Sequence, residues 1–173
     1  MRAPLKGKKV LIRNFTRLDI SETYVSWLND QSLMAFSNQR FKKHTLASCI
    51  RYLEVFSGTD DYFLAIIDSE SGDLVGTITV YFSIEHRTAD VGLMLGHKDY
   101  RGRGYGTEAW MLTLDYLMTE VRVRKATAGT LRNNFGMIRI IETSDMKLEG
   151  TRVKQEIVGG EPMDILQFAK FRE

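Results

Sequence analysis

Apolar residues along this chain keep two rhythms, and the switches between them lay out the elements. Short stretches that alternate or run apolar, at 10–15, 62–68, 74–84, 88–96, 126–131, 147–158 and 163–171, predict strands. Elsewhere the apolar positions recur every three or four residues. Ile20, Tyr24, Trp27 and Leu28 mark one helix, with Asp19 as its N-cap, Glu22 completing a capping box, and Asn29 and Asp30 ending it. Thr45 caps a second helix with an apolar face of Leu46, Cys49, Ile50, Leu53 and Phe56, closed by Gly58. A third begins near Thr107 and carries Trp110, Leu114, Leu117 and Val121, with Met111 and Met118 beside them. Asn134 starts a fourth that reaches about Ser144.

Turn-forming residues at 69–73 and 85–87 tie three of the strands into an antiparallel meander, and Gly159-Gly160 sits at the bend of a terminal hairpin. The order is β-α-α-β-β-β-α-β-α-β-β, a mixed α/β arrangement, and 173 residues suit one domain spanning 1–173. No internal repeat, linker or low-complexity tract interrupts it.

Composition narrows the chemistry. The hydrophobic fraction of 43% and charged fraction of 27% are ordinary for a globular protein, and a net charge of +2 with scattered basic residues argues against nucleic acid as a partner. One cysteine, Cys49, excludes an intramolecular disulfide or a cysteine-cluster metal site, and its place on an apolar helix face suits a buried structural thiol better than a nucleophile. His44, His86 and His97 show no metal-ligand spacing, so no metal is expected. The basic N-terminal stretch, 1–9, precedes too short an apolar run for a signal peptide or a membrane span, which leads to a cytoplasmic expectation.

The stretch 90–107 stands apart. An acidic residue, Asp90, opens an apolar strand that runs into Arg101-Gly102-Arg103-Gly104-Tyr105-Gly106 and then a helix. Glycine at every second position lets the backbone turn tightly and aim successive N–H groups at one anion, with the positive end of the helix dipole pointing the same way. A P-loop, G-x-x-x-x-G-K-S/T, needs a lysine after Gly106, where Thr107 stands. A dinucleotide fingerprint needs glycine at that position and a parallel βαβ unit. Neither applies.

Residues 101–106 fit the Q/R-x-x-G-x-G/A pattern of the GCN5-related N-acetyltransferases, and the order of elements matches that family over nearly the whole chain. The chain thus resembles a family whose fold is a central twisted, mostly antiparallel sheet of about seven strands with about four helices. The resemblance implies acetyl-CoA as co-substrate. Its pantetheine arm would lie along Leu93, Met94, Leu95 and Gly96. Its diphosphate would meet the amides of Arg101, Gly102, Arg103, Gly104, Tyr105, Gly106 and Thr107. Asn134, in a segment resembling N-x-x-S/A-I-R-x-x-E, would contact pantetheine or the nascent thiol, or simply cap its helix, and Arg139 would face the adenine or phosphate end. Asp90 lies sixteen residues before Gly106, where some members carry a catalytic Glu. It is the first candidate base, acting through water, and Glu85 is the reserve; a surface salt bridge is the alternative role for Asp90. The family's tyrosine acid, seven residues after the asparagine, is replaced by Ile141, and the usual Gly-Phe after the helix reads Asp145-Met146, so the acid is unassigned.

Trp27-Leu28-Asn29-Asp30 and the stretch 36–45 look similar to acetyltransferases acting on amino sugars of bacterial surface-glycan synthesis. That resemblance implies a primary amine on a small molecule, including nucleotide-linked sugars, with Arg40, Lys42 and His44 near the anionic part. A solvated loop is the other role for those cations. Acetylation of a protein amine, as in the ribosomal-protein branch of this fold, and a non-catalytic acyl-CoA-binding module are the competing functions. Whether the terminal hairpin pairs with a second chain in a homodimer stays open.

Overall fold

The computed structural model describes Met1 and residues 3–173; Arg2, within the basic N-terminal stretch, lies outside the described residues. The strands are β1 (Leu5–Lys6), β2 (Val10–Asn14), β3 (Tyr62–Asp68), β4 (Leu74–Ser83), β5 (Thr88–Leu95), β6 (Lys125–Leu131), β7 (Lys147–Val158) and β8 (Glu161–Phe171). The helices are α1 (Glu22–Asn29), α2 (Leu46–Val55), α3 (Tyr105–Thr119) and α4 (Phe135–Thr143). The strands form one sheet in the order β1-β2-β3-β4-β5-β6-β8-β7. Every neighbouring pair is antiparallel except β5 and β6.

Strand β3 shows why the sheet is covered on both sides. Its residues run apolar without polar interruption, and alternate side chains enter opposite cores. Leu64 and Ile66 pack with Val10, Ile12, Ile78, Trp110, Leu114 and Ile141, beneath α3 and α4. Phe63, Ala65 and Ile67 pack with Phe15, Tyr24, Trp27 and Cys49, beneath α1 and α2.

Three local features depart from the sequence expectation. Strand β1, only two residues long, adds an eighth strand at the sheet edge. Asp19 does not cap α1: its carboxylate is held by both Arg13 terminal nitrogens at 2.6 and 2.7 Å and by the Thr16 amide at 2.7 Å, so Ser21 takes the cap, accepting from the Tyr24 amide at 3.2 Å. Helix α3 begins at Tyr105 rather than Thr107, because Gly104 adopts φ +87° and turns the chain directly into the helix.

The feature that places the site is the junction of β5 and β6. They pair in parallel only from Thr88↔Lys125 to Asp90↔Thr127. Beyond that register the two strands part, and residues 91–95 keep β4 as a partner while having no strand partner on their other edge among the described residues. Half the peptide groups of that segment therefore face an opening.

Candidate active site

The opening is the mouth of a cleft of about 1070 Å³ that passes from one face of the sheet to the other. Gly92, Leu93, Met94 and Leu95 form one wall, Gly102, Gly104, Gly106 and Thr107 the floor, and Asn134, Met137, Arg139 and Ile140 the opposite wall. The acceptor side is closed by Leu28, Met34, Phe36, Lys42, Lys43, His44, Tyr52 and Tyr81, among others. Its volume lies just above the ~300–1,000 Å³ typical of small-molecule sites, which gives room for two reactants.

The glycine loop and the first turn of α3 provide the anion-binding end. No side chain caps α3, so the amides of its first turn lack intrahelical partners and keep their hydrogen-bonding capacity. Arg101 anchors the loop to the end of β5, donating from Nε to the Leu95 carbonyl at 3.2 Å and from a terminal nitrogen to the Gly96 carbonyl at 3.1 Å. On the other side of the loop Tyr105 donates its hydroxyl to Asp68 at 3.0 Å.

Several predicted residues have other occupations. The Gly96 amide donates to the Val75 carbonyl at 3.0 Å, and a Cβ there would lie 2.0 Å from the Trp27 ring. Gly96 is thus a packing glycine off the cleft wall, as its near-zero room requires. The Arg103 side chain donates to the Asp99 carbonyl at 3.2 Å, and neither Arg103 nor Tyr105 is among the lining residues; the expectation for both concerned their amides, which these side-chain contacts leave unoccupied. Asn134 caps α4 by accepting from the Met137 amide at 3.3 Å and donates to Thr130 Oγ1 at 3.1 Å, yet it also lines the cleft, so both roles considered for it are sterically compatible.

Asp90 lies at the point where the strands part and accepts from Thr127 Oγ1 at 2.7 Å. It keeps solvent access, but burial by the surrounding sheet pushes its carboxyl above the ordinary 3.8, against the opposing influence of Thr127 and Arg152. Glu85 is exposed in the β4–β5 turn, away from the cleft. No aspartate or glutamate lines the cleft among the described residues; its formally charged side chains are Lys42, Lys43, Arg101 and Arg139.

Arg40 does not line the cleft; its Nη1 has no hydrogen-bond partner among the described residues, while its other terminal nitrogen is engaged elsewhere. It pairs with Glu156 at 3.3 Å, donates to the Ile157 carbonyl at 3.1 Å and stacks on Phe41 at 4.3 Å, tying the acceptor loop to the β7–β8 hairpin. Lys42 and His44 do line the cleft, and Asn29 brackets His44 through hydrogen bonds to its amide and carbonyl at 2.9 and 3.0 Å. Ile141 is fully buried in the core, so the side chain at that position cannot serve as an acid.

Tyr52 and Tyr81 are among the cleft residues that the sequence reading does not single out. The Tyr52 and Tyr81 hydroxyls meet at 2.8 Å, and burial followed by that contact raises the Tyr52 phenol well above its usual value. Tyr81 follows Thr77 and Thr79 at a spacing of two on β4, a pattern that could have put it on the cleft face. Cys49 also lines the cleft, but it is buried and burial pushes its thiol up, consistent with a structural role.

Among the described residues no helix is long and apolar enough to cross a membrane, and no cluster of three or more histidine, cysteine, aspartate or glutamate side chains is arranged to hold a metal.

Known proteins carry the same architecture. The model of the acetyltransferase (GNAT) domain matches residues 9–147. A probable N-acetyltransferase of Bacillus subtilis, YjcK, is 27% identical over 164 residues, which make up 90% of this chain and 90% of that protein. Among solved structures, a GNAT-family acetyltransferase from Bacillus anthracis superposes with a TM-score of 0.83 at 23% identity, covering 98% of both chains. The spermidine N-acetyltransferase from Vibrio cholerae, solved with CoA and spermine, superposes with a TM-score of 0.84 at 16% identity, covering 96% of this chain and 97% of that one. With the domain match extending over most of its length, this chain belongs to the GNAT family and is an N-acetyltransferase.

Proposed function

We propose that the enzyme transfers the acetyl group of acetyl-CoA to a primary amine carried on an anionic molecule, of which a nucleotide-linked amino sugar is the favoured class. The observation that carries this reading is the charge of the acceptor side of the cleft: Lys42 and Lys43 line it, with no carboxylate among the described lining residues. A polyamine would meet repulsion there, whereas a diphosphate would be attracted. Among the lining residues, Phe36, Tyr52 and Tyr81 give a sugar ring apolar surface to lie on.

Acetyl-CoA, when bound, supplies the activated thioester. The uncapped amides at the start of α3 and the glycine loop suit its diphosphate, and the unpaired edge of residues 91–95 suits an amide-bearing arm. In the reaction the amine nitrogen bonds to the acetyl carbon and the carbon–sulfur bond breaks; starting from the ammonium form, one proton leaves to free the lone pair for attack, a second leaves as the amide forms, and one proton joins the departing thiolate. An alkylammonium titrates near pH 10, so the proton needs an acceptor at neutral pH. Asp90, cross-strand neighbour of Tyr81, is assigned that task through water, since its own side chain does not line the cleft. The leaving thiolate is a weak enough base, with a thiol value near 8.5, for solvent to protonate it.

A thiol-release assay over three acceptors tests the reading: a nucleotide-linked amino sugar, a peptide with a free N-terminus, and spermidine. Release is expected with the first. Turnover confined to the peptide or to spermidine overturns the acceptor class, and calorimetric binding of acetyl-CoA with no release for any amine identifies a binding module instead.

A further inference from the structure

The turn between β1 and β2 reaches the glycine loop from outside the cleft. The Glu108 carboxylate, on the first turn of α3, accepts from the amides of Lys8 at 2.6 Å and Lys9 at 2.9 Å. Those two bonds fix the backbone of Lys9 against the helix. Its side chain then extends to the loop, where Nζ donates to the Arg103 carbonyl at 2.7 Å and lies 5.9 Å from the centre of the Tyr105 ring.

A trans peptide unit is planar, with its C=O and the following N–H pointing in opposite directions. Holding the Arg103 carbonyl toward Lys9 therefore turns the Gly104 N–H the other way. Lys9 and Arg103 are off the cleft, while Gly102 and Gly104 line it. The Gly104 residue sits at φ +87°, and a glycine peptide unit that is free to rotate would lose this orientation without an external hold.

We infer that Lys9 is a positioning residue for the anion-binding loop: by holding the Arg103 carbonyl outward, it aims the Gly104 amide at the diphosphate of the bound carrier. This inference rests on the reading of residues 101–107 as the diphosphate site. It assigns a binding role to the β1–β2 turn, which neither the loop motif nor the helix predicts. Lys9 touches no ligand; it acts through one peptide unit.

Calorimetric titration with coenzyme A and with pantetheine, which lacks the diphosphate, tests it on the wild-type protein and on Lys9→Met and Lys9→Arg. Wild type is expected to bind coenzyme A far more tightly than pantetheine. Lys9→Met is expected to lose about five- to tenfold in coenzyme A affinity, the range of one net hydrogen bond, with pantetheine affinity unchanged and Lys9→Arg recovering part of the loss. The loss should persist in about 0.5 M salt, where attraction between exposed charges is screened. If wild type binds the two ligands equally, the diphosphate reading itself fails and takes this inference with it. If wild type discriminates but Lys9→Met weakens both ligands alike, weakens neither, or loses its defect in high salt, the positioning role alone is overturned.

Discussion

Thr127 donates its hydroxyl to Asp90 over 2.7 Å at the last register position where β5 and β6 still pair. One step further the strands separate, so this contact joins the proposed base to the hinge of the opening. Burial raises the Asp90 carboxyl above 3.8, which places its ionisation closer to the working pH than that of an exposed aspartate. A base must be deprotonated to work, so kcat/KM should rise with pH as Asp90 loses its proton. Asp90→Asn is expected to lower kcat/KM about 100-fold and to remove that rise from the pH profile. Turnover identical to wild type from about pH 6 to 9 would exclude Asp90 as the base.

The acceptor loop depends on a partner far along the chain. Glu156, in β7, accepts from Asn38 at 2.9 Å and from Arg40 at 3.3 Å, while Arg40 is only 10% exposed. Glu156→Ala should strand that guanidinium, loosen the segment carrying Lys42 and His44, and raise KM for the amine roughly tenfold, on the scale of a charged hydrogen bond. Coenzyme A affinity, set at the other end of the cleft, should stay as in wild type. A matched loss in both would show that the hairpin supports the whole site rather than its acceptor side.

Stability should respond sharply at Trp110, whose indole N–H donates to Ser144 Oγ at 3.0 Å with both side chains fully buried. Ser144→Ala leaves that donor without a partner in the core beneath α3, at a cost of about 1–3 kcal/mol. Urea denaturation measures it; a variant as stable as wild type would mean that the indole finds another acceptor.

Acid sensitivity should trace to Asp19. Burial alone would push its carboxyl up, but the Arg13 guanidinium and the Thr16 amide and hydroxyl more than offset this and hold it below 3.8. A lowered value means that the fold gains stability above 3.8 and loses it as pH falls through the folded-state value. Asp19→Asn is therefore expected to cost about 1.5–3 kcal/mol at pH 7, with the gap to wild type closing under acid. Denaturation curves at neutral and acidic pH read this directly, and a gap independent of pH would rule the ion pair out as its cause.

Period and turn chemistry carried most of the architecture, because β3, β4 and α3 each bury a face that repeats along the sequence. The glycine loop was legible for the same reason: its function lies in local backbone. What escaped were partnerships between distant segments. Nothing near Arg40 announces Glu156, nothing near Arg103 announces Lys9, and Asp19 looks like a helix cap until Arg13 is seen beside it. Tyr52 and Tyr81 meet across α2 and β4, a pairing that neither neighbourhood announces, even though alternation along β4 puts Tyr81 on the cleft face. Such contacts depend on how the elements pack, which pattern alone leaves undetermined.

The divergence of β5 from β6 also bears on how such a protein can change over generations. A recess bounded by peptide groups belongs to the path of the main chain, and exchanging one apolar side chain for another behind it leaves its donors and acceptors where they were. Mutation can thus rework much of the chain while sparing that recess, and the inherited differences that redirect the enzyme to a new amine should collect instead at the acceptor end, among the side chains of α2, β4 and the segment before α2.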